Sequence, residues 1–306
     1  MRVCSKIPLG CRLSSDPDLA TFTLPGARSQ SFAPHTLFEV FKQSHLTRKN
    51  VSDAGSGLTM DDTFFFFVFE GLPRQGPGSD ACTTRAFHLI PDLSRHASIL
   101  DIGCGSGMQT LTLARLCPEC SITACDIHQP FLDDLRVRAE RAGLNTRIKT
   151  LRASMDDLPF GQETFDLIWA EGSAFVMGFK EALHAWKRLL KPGGYLAISD
   201  CFWFSTTPTE ECRQYFSEIY PAMIHEKEAE TIIRDAGYSI LGRLRLPDAA
   251  WWDQYYTPLS GRLDLLKQQY KDDQDMQAFI SSLEKEIQIF RNHSQEYGYS
   301  FFIIRT

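Results

Sequence analysis

Three glycines alternate with other residues directly after a short apolar run, residues 99–102. They are Gly103, Gly105 and Gly107, and the run before them is typical of a buried parallel strand. Glycine allows unusual backbone angles and lets a ligand approach the main chain without meeting a Cβ atom. The apolar residues in 111–116 indicate a helix after the glycines. A strand, a glycine turn and a helix N-terminus together form a site for a nucleotide-like ligand.

The spacing of the glycines separates two kinds of nucleotide ligand. A dinucleotide fingerprint needs Gly-x-Gly-x-x-Gly, and its third glycine would fall at position 108, which is Met108. The pattern here is Asp-x-Gly-x-Gly-x-Gly, with Asp101 on the predicted strand. The sequence also lacks the Tyr-x-x-x-Lys of a catalytic dehydrogenase site. An NAD(P)-dependent Rossmann oxidoreductase is therefore an alternative that the spacing argues against.

Polar side chains end the other predicted strands. Asp126 ends the second strand, Ser154 follows the third and Glu171 ends the fourth, while Asp101 lies on the first. In doubly wound α/β sheets, ligands bind beyond the carboxyl ends of the strands. An acidic side chain at the end of the second strand can accept both ribose hydroxyls, which assigns that role to Asp126. Ile127 follows it and is predicted to flank a purine ring.

Five stretches, taken in their order, resemble the class I S-adenosylmethionine (SAM) dependent methyltransferases. These stretches are residues 101–107, Asp126, and residues 154–160, 165–169 and 191–194. Residues 74–79, 169–172 and 297–302 look more closely like a group of small prokaryotic methyltransferases of largely unassigned substrate. The resemblance implies SAM as the cofactor. It also implies an α/β fold with a Rossmann-like, doubly wound, seven-stranded sheet, whose last strand is antiparallel and whose helices cover both faces.

The loop of residues 73–79 is rich in glycine and proline, and its plain interpretation is a turn between two helices. The resemblance implies instead that the loop folds over SAM, with Arg74 as the partner of the SAM carboxylate. Ser154, Met155 and Asp156 are candidates for adenine recognition, and whether Ser154 or Asp156 contacts the adenine amine stays open. The predicted cofactor-binding residues are Arg74, Gln75, Ser79, Asp101, Gly103, Gly105, Gly107, Gln109, Asp126, Ile127, Ser154, Met155, Asp156 and Glu171.

Methyl transfer from SAM needs a nucleophile held in line with the S–CH₃ bond and shielded from water. A general base is optional, because the need for one depends on the pKa of the acceptor. Glu171 is the candidate base. Alternatively, Glu171 only contacts the SAM amino group or caps a helix. The aromatic side chains predicted to line the substrate pocket, where they could bind an apolar ring or an amine, are Trp203, Trp252, Tyr255 and Tyr299.

We therefore predict methyl transfer from SAM to a small-molecule acceptor, and the sequence leaves open whether oxygen, nitrogen, carbon or sulfur is methylated. A SAM-binding protein without turnover is a further alternative. The net charge of −6 argues against a nucleic-acid partner, which would need a clustered basic surface. The sequence contains no apolar run long enough to span a membrane. The oligomeric state stays open, with a homodimer as one alternative.

The chain has nine cysteines, an odd number, which fits a reduced cytoplasmic protein better than a disulfide framework. Cys117 and Cys120 form a lone Cys-x-x-Cys without the second pair that a zinc site requires, so we expect surface-turn cysteines and no metal. Residues 1–59 are rich in Ser, Thr, Pro and Gly and are predicted to be a disordered leader. Residues 60–306 are predicted to form the methyltransferase domain. An insertion over 247–295, with two charged helices and several aromatic residues, is expected to contribute to the substrate pocket.

Overall fold

The central element is a seven-stranded sheet with the order β3-β2-β1-β4-β5-β7-β6. The computed structural model describes residues 60–306, so the predicted leader lies outside the described residues. Strands β1 to β5 pair in parallel, whereas β7 is antiparallel to both β5 and β6. This confirms the predicted fold class. The strands are β1 (Ser98–Ile102), β2 (Ser121–Asp126), β3 (Ile148–Arg152), β4 (Phe165–Glu171), β5 (Leu190–Trp203), β6 (Ser239–Arg245) and β7 (Tyr297–Arg305).

Helices cover both faces of the sheet, as predicted. Alternate residues of each strand point to opposite faces, and they belong to two separate hydrophobic cores, one on each face. In β4, Leu167 and Trp169 belong to one core, and Ile168 and Ala170 belong to the other. This alternation follows from the period of two in a strand. The helices are α1 (Met60–Phe69), α2 (Asp80–Phe87), α3 (Met108–Leu116), α4 (Gln129–Arg141), α5 (Phe179–Lys187), α6 (Glu210–Ile219), α7 (Glu226–Asp235), α8 (Thr257–Gln269) and α9 (Gln274–His293).

The strand order reverses between β1 and β4, which lie side by side at the centre of the sheet. One chain connection leaves β1 toward β2 and β3, and the other strands extend away from β4. A crevice therefore opens above the carboxyl ends of these two strands. The parallel pairing brings Asp126 at the end of β2 and Glu171 at the end of β4 to this same edge.

The predicted insertion forms the two expected helices, α8 and α9. A helical turn (Ala249–Trp251) and a π-helical segment (Trp252–Tyr256) lead into α8. Both helices pack near α1, where the Phe64 and Phe279 rings lie 5.9 Å apart and the Phe67 and Tyr270 rings 5.7 Å apart. The five phenylalanines of α1 therefore join the insertion to the rest of the domain.

Residues 191–194 belong to β5; the pairing register shifts between Phe165 and Leu167, and Gly193 takes a φ of 72°. One local prediction is wrong. Cys117 and Cys120 are buried and joined by a disulfide instead of lying on a surface turn. No helix in the described part of the chain has the length and apolar character needed to cross a membrane.

Candidate active site

A cavity lies at the carboxyl edge of the sheet, above the crevice between β1 and β4. Its walls come from the glycine turn, the ends of β2 and β4, the loop of residues 73–79, helix α1, the π-helical segment and helix α9. Residues that are distant in sequence therefore meet there. The predicted site residues that line it are Arg74, Gln75, Gly103, Gly105, Gln109, Asp126, Ile127, Ser154, Met155, Glu171, Tyr255 and Tyr299.

The glycine turn passes close to both neighbouring walls. At Gly105, where φ is +52°, an added Cβ would lie 2.4 Å from Gln75 Oε1. At Gly103, where φ is +68°, an added Cβ would lie 2.5 Å from Ser173 Cβ. Both positions combine a left-handed backbone with a close contact, so each requires glycine. The backbone of the turn consequently forms one wall of the cavity.

Asp126 binds the glycine turn and keeps part of its acceptor capacity. Its Oδ2 accepts the Gly105 N–H at 2.9 Å, and its Oδ1 accepts the His128 N–H at 2.9 Å. Burial raises the pKa of this carboxyl, and the two backbone donors counteract part of that effect. A carboxylate offers about four acceptor sites. Each oxygen therefore has room for a further donor from a ligand in the cavity.

The loop of residues 73–79 is bound to the glycine turn by side-chain hydrogen bonds. Gln75 Oε1 accepts the Ser106 N–H at 2.8 Å, and Gln75 Nε2 donates to the Leu72 carbonyl at 3.3 Å. Ser106 Oγ donates to the Pro73 carbonyl at 3.0 Å. The loop thus lies against the turn and closes one side of the cavity.

Arg74 is buried, and protein groups occupy its guanidinium. Nη1 donates to Glu171 Oε1 at 3.0 Å, Nη2 contacts Asp80 Oδ1 at 3.2 Å, and Nε donates to Gln254 Oε1 at 3.0 Å. The side chain of Arg74 is 5 % exposed and that of Glu171 is 2 % exposed. Arg74 therefore joins the loop to β4 and to the insertion.

Glu171 accepts hydrogen bonds from three protein donors. In addition to Arg74, Thr83 Oγ1 donates to its Oε2 at 2.9 Å and Trp169 Nε1 donates to the same oxygen at 3.1 Å. Burial raises the pKa of Glu171, and Arg74 is the largest of the influences that oppose this rise. These three hydrogen bonds leave the carboxylate little capacity to take a proton from the molecule that is methylated. This favours a contact role for Glu171 over the role of general base.

The far end of the cavity contains a carboxylate that sequence reasoning missed. Glu286 on α9 lines the cavity with Trp251, Tyr255 and Tyr299. Its Oε1 accepts the hydroxyls of Tyr256 at 2.9 Å and Tyr255 at 3.2 Å. Burial raises its pKa to about 7. The Trp251 and Tyr299 rings are stacked with centroids 5.3 Å apart.

A signal for Glu286 was present in the sequence. The buried positions of α9 recur at intervals of three and four residues, and they include Phe279, Leu283, Glu286 and Phe290. A single carboxylate on this apolar helix face is unusual, because a buried charge is costly unless it is paired. Other lining residues that the prediction lacked include Phe65, Phe66, Phe131, Ser173, Phe175 and Val176.

Four predicted cofactor residues do not line the cavity, and three of them have a local structural role. Ser79 is the N-cap of α2 and accepts the Cys82 N–H at 3.2 Å. Asp101 is fully buried beneath the turn, where Thr110 Oγ1 donates to it at 2.6 Å and burial raises its pKa to about 7. Gly107 precedes α3 and packs on Leu135.

Asp156, Trp203 and Trp252 also lie outside the cavity lining. Asp156 is two residues beyond Ser154, the lining residue of that loop. The Trp203 ring packs on Phe216, with centroids 5.2 Å apart. Trp252 packs on Tyr256, with centroids 5.5 Å apart, and its neighbour Trp251 lines the cavity instead. Successive helical residues point about 100° apart, so only one of the two adjacent tryptophans faces the cavity.

A family model described as a methyltransferase domain matches residues 99–194. The O-methyltransferase cnsE of Penicillium expansum is 27 % identical over 155 residues, which cover 50 % of this chain and 55 % of that protein. The methyltransferase GfsG of Streptomyces halstedii is 33 % identical over 110 residues, which cover 36 % of this chain and 39 % of that protein. The chain thus spans about half or less of the length of these curated relatives.

Solved structures show the same fold. A SAM-dependent methyltransferase from Geobacter sulfurreducens, solved with S-adenosyl-L-homocysteine, aligns with a TM-score of 0.66 and 20 % identity over 79 % of this chain and 97 % of that chain. YjhP from E. coli aligns with a TM-score of 0.69 and 21 % identity over 79 % of this chain and 98 % of that chain. At these identities the similarity shows the architecture alone.

Proposed function

We propose that this chain, whose domain belongs to the class I SAM-dependent methyltransferases, transfers a methyl group from SAM to a small-molecule acceptor. The single observation that carries the proposal is the meeting of the glycine turn and Asp126 in one cavity. Asp126 retains acceptor sites for two ribose hydroxyls. The residues present therefore fit the nucleoside part of SAM.

Each part of SAM has candidate partners in the cavity lining. Ile127 and Met155 would flank the adenine, and Ser154, which lines the cavity, is favoured over Asp156 for the adenine amine. The amino-acid tail would lie along the glycine turn near Gly105. Arg74 lines the cavity, but its guanidinium already binds Glu171, Asp80 and Gln254, so we assign it to holding the loop in place and not to the SAM carboxylate. When bound, SAM supplies an electrophilic methyl group.

The acceptor would bind beyond the methyl group, at the aromatic end of the cavity. Phe175, Val176, Trp251, Tyr255 and Tyr299 provide walls there, which would exclude water and orient an acceptor of small size. A cytoplasmic location and the absence of a nucleic-acid partner stay predictions from composition, and the homodimer stays an open alternative.

Calorimetric titration with SAM and with NAD tests the cofactor assignment. We expect SAM to bind and NAD not to bind. The Asp126→Ala variant should weaken SAM binding by about 1–3 kcal/mol, the usual range for losing a charged hydrogen-bond partner. This corresponds to about a 5- to 150-fold increase in Kd.

The matched control is Asp133→Ala, which removes an exposed carboxylate on α4 that pairs with Arg136. Its SAM affinity should equal that of the wild type. Unchanged affinity in Asp126→Ala would show that the ribose is placed wrongly, and preferential NAD binding would reject the methyltransferase function. Release of S-adenosylhomocysteine against pools of small molecules would distinguish turnover from binding alone.

A further inference from the structure

The lining of the cavity contains more carboxylates than cationic side chains. In the part of the chain that the structure describes, the cavity lining contains one cationic side chain, Arg74, and three carboxylates, Asp126, Glu171 and Glu286. Arg74 pairs with Glu171. Asp126 accepts two backbone N–H groups beside the glycine turn. Glu286 is therefore the carboxylate of the acceptor end, and no cationic side chain of the lining pairs with it.

The contacts of Glu286 leave one oxygen for a ligand. Tyr255 and Tyr256 both donate to Oε1, and among residues 60–306 no protein group donates to Oε2. A buried carboxylate without a counter-charge is costly, and a ligand cation would relieve that cost. The tyrosine hydroxyls fix the orientation of the carboxylate, so the site exists before a ligand arrives.

The walls around Glu286 are aromatic and buried. Trp251 stacks on both Phe290 and Tyr299, with ring centroids 4.2 and 5.3 Å away, and Tyr255 lies against Tyr256, with ring centroids 4.7 Å apart. These rings cover one another, so they act as apolar walls that keep water away from the carboxylate. Attraction between opposite charges is stronger in such an environment, so the carboxylate favours an organic ammonium over a neutral or anionic group.

We propose that Glu286 binds the amino group of the acceptor within walls formed by Trp251, Tyr255 and Tyr299, and that the acceptor is a small primary or secondary amine. This inference rests on the proposed SAM-dependent function. The amine arrives as an ammonium and passes one proton to Glu286 Oε2, which frees the nitrogen lone pair. The nitrogen then forms a bond to the methyl carbon while the S–CH₃ bond breaks, and the electron pair of that bond stays on sulfur.

The products of this step are the methylated ammonium and neutral S-adenosylhomocysteine. Glu286 returns its proton to solvent when the product leaves. Overall, an ammonium and SAM yield a methylammonium, S-adenosylhomocysteine and one proton, so atoms and charge balance. Burial already raises the pKa of Glu286 to about 7, which is suited to accepting a proton near neutral pH.

Binding of matched amines and alcohols tests the proposal without relying on turnover. The full-length protein, saturated with S-adenosylhomocysteine, is titrated with a panel of alkyl and aryl amines and with alcohols of the same carbon skeletons, such as 2-phenylethylamine and 2-phenylethanol. We expect the best amine to bind at least about tenfold more tightly than its alcohol, consistent with a desolvated cation site. Methylation of amines in the panel should follow the same order.

Glu286→Gln keeps an acceptor for the two tyrosine hydroxyls but removes the charge, so the preference for amines should disappear. Glu284→Gln is the matched control, since Glu284 is on the same helix and pairs with Lys267 at the surface; its preference should equal that of the wild type. An alcohol preference, an unchanged preference in Glu286→Gln, or no binding by any amine would overturn the inference. Failure of the wild type to bind S-adenosylhomocysteine would instead reject the proposed function.

Discussion

Glu171 illustrates how a single carboxylate can be catalytic or positional according to its contacts. It accepts from Arg74, Thr83 and Trp169, which come from a loop, a helix and a strand. All three donors would lose their acceptor if the carboxylate moved toward a substrate. Its environment therefore favours a role in holding the loop of residues 73–79 against the sheet.

The Glu171→Gln variant distinguishes these two roles. Removal of the charge leaves the buried Arg74 cation without its main partner, so the free energy of unfolding should fall by about 3–5 kcal/mol. Urea denaturation measures this change. Asp80→Asn is the control, because Asp80 is a half-exposed partner of Arg74 and its loss should cost at most about 1 kcal/mol. If Glu171→Gln lowered kcat while stability and SAM affinity stayed normal, the general-base role would be restored.

The last glycine of the turn, Gly107, also allows two helices to pack closely. Gly107 begins the approach to α3 with a φ of +81°, and an added Cβ would lie 2.2 Å from Leu135 Cδ1 on α4. The third glycine of the motif therefore allows α3 and α4 to pack closely, whereas Gly105 faces the cavity. One sequence motif thus serves both ligand access and helix packing.

Gly107→Ala should destabilise the domain, because overpacking in a filled core costs about 1–3 kcal/mol and positive φ is unfavourable for alanine. Gly261→Ala is the matched control, since it lies within α8 and an added Cβ there would meet nothing within 4 Å. The control should gain about 0.5–1 kcal/mol. Chemical denaturation of the two variants gives the comparison, and equal stability of Gly107→Ala and wild type would contradict the packing role.

Stability of the whole molecule should depend on pH through its buried carboxyls. Burial raises the pKa of Asp101, Asp200 and Glu286 to about 7 each. In the unfolded chain these groups ionise near pH 4. Between pH 6 and 8 the folded state therefore holds protons that the unfolded state has already lost. The free energy of unfolding consequently falls as the pH rises, by about 1.4 kcal/mol for each group over this interval.

Asp200→Asn tests this dependence away from the cavity. Asp200 accepts the Cys201 N–H at 2.7 Å and the Tyr220 hydroxyl at 3.3 Å, and an amide oxygen can replace these contacts. The loss of stability between pH 6 and 8 should shrink by about 1.4 kcal/mol relative to wild type. Urea titrations at the two pH values measure it. Asp272→Asn, at an exposed position between α8 and α9, should leave the wild-type dependence intact.

Removal of residues 1–59 should leave thermal stability and SAM binding unchanged. All seven strands and the cavity are built from residues 60–306, whereas the removed segment lies outside the described residues. Thermal melts and calorimetric SAM titrations of the full and shortened chains make the comparison, and a large loss in either would reject the leader hypothesis.

Much of the architecture could be read from local patterns. Asp126 was predicted to end the second strand, and β2 ends at Asp126. Apolar runs, helical periodicity and glycine turns depend on residues that are close in sequence, so they predict the strands and helices and their order. The polar residues that end parallel strands, such as Asp126, could also be placed at one edge of the sheet. These signals require no knowledge of distant contacts.

The choice among similar side chains depended on contacts between distant segments. Trp251 and Trp252 are indistinguishable by type, and only the phase of the helical turn against α9 turns Trp251 toward the cavity. Glu286 is far along the chain from the glycine turn and Asp126, and its two tyrosine donors lie 30 and 31 residues away. The local sequence determines where each strand and helix lies in the chain and which of its residues are buried. Which buried groups face one another is set by how those elements pack, because hydrogen bonds and desolvation act between atoms that only folding brings together.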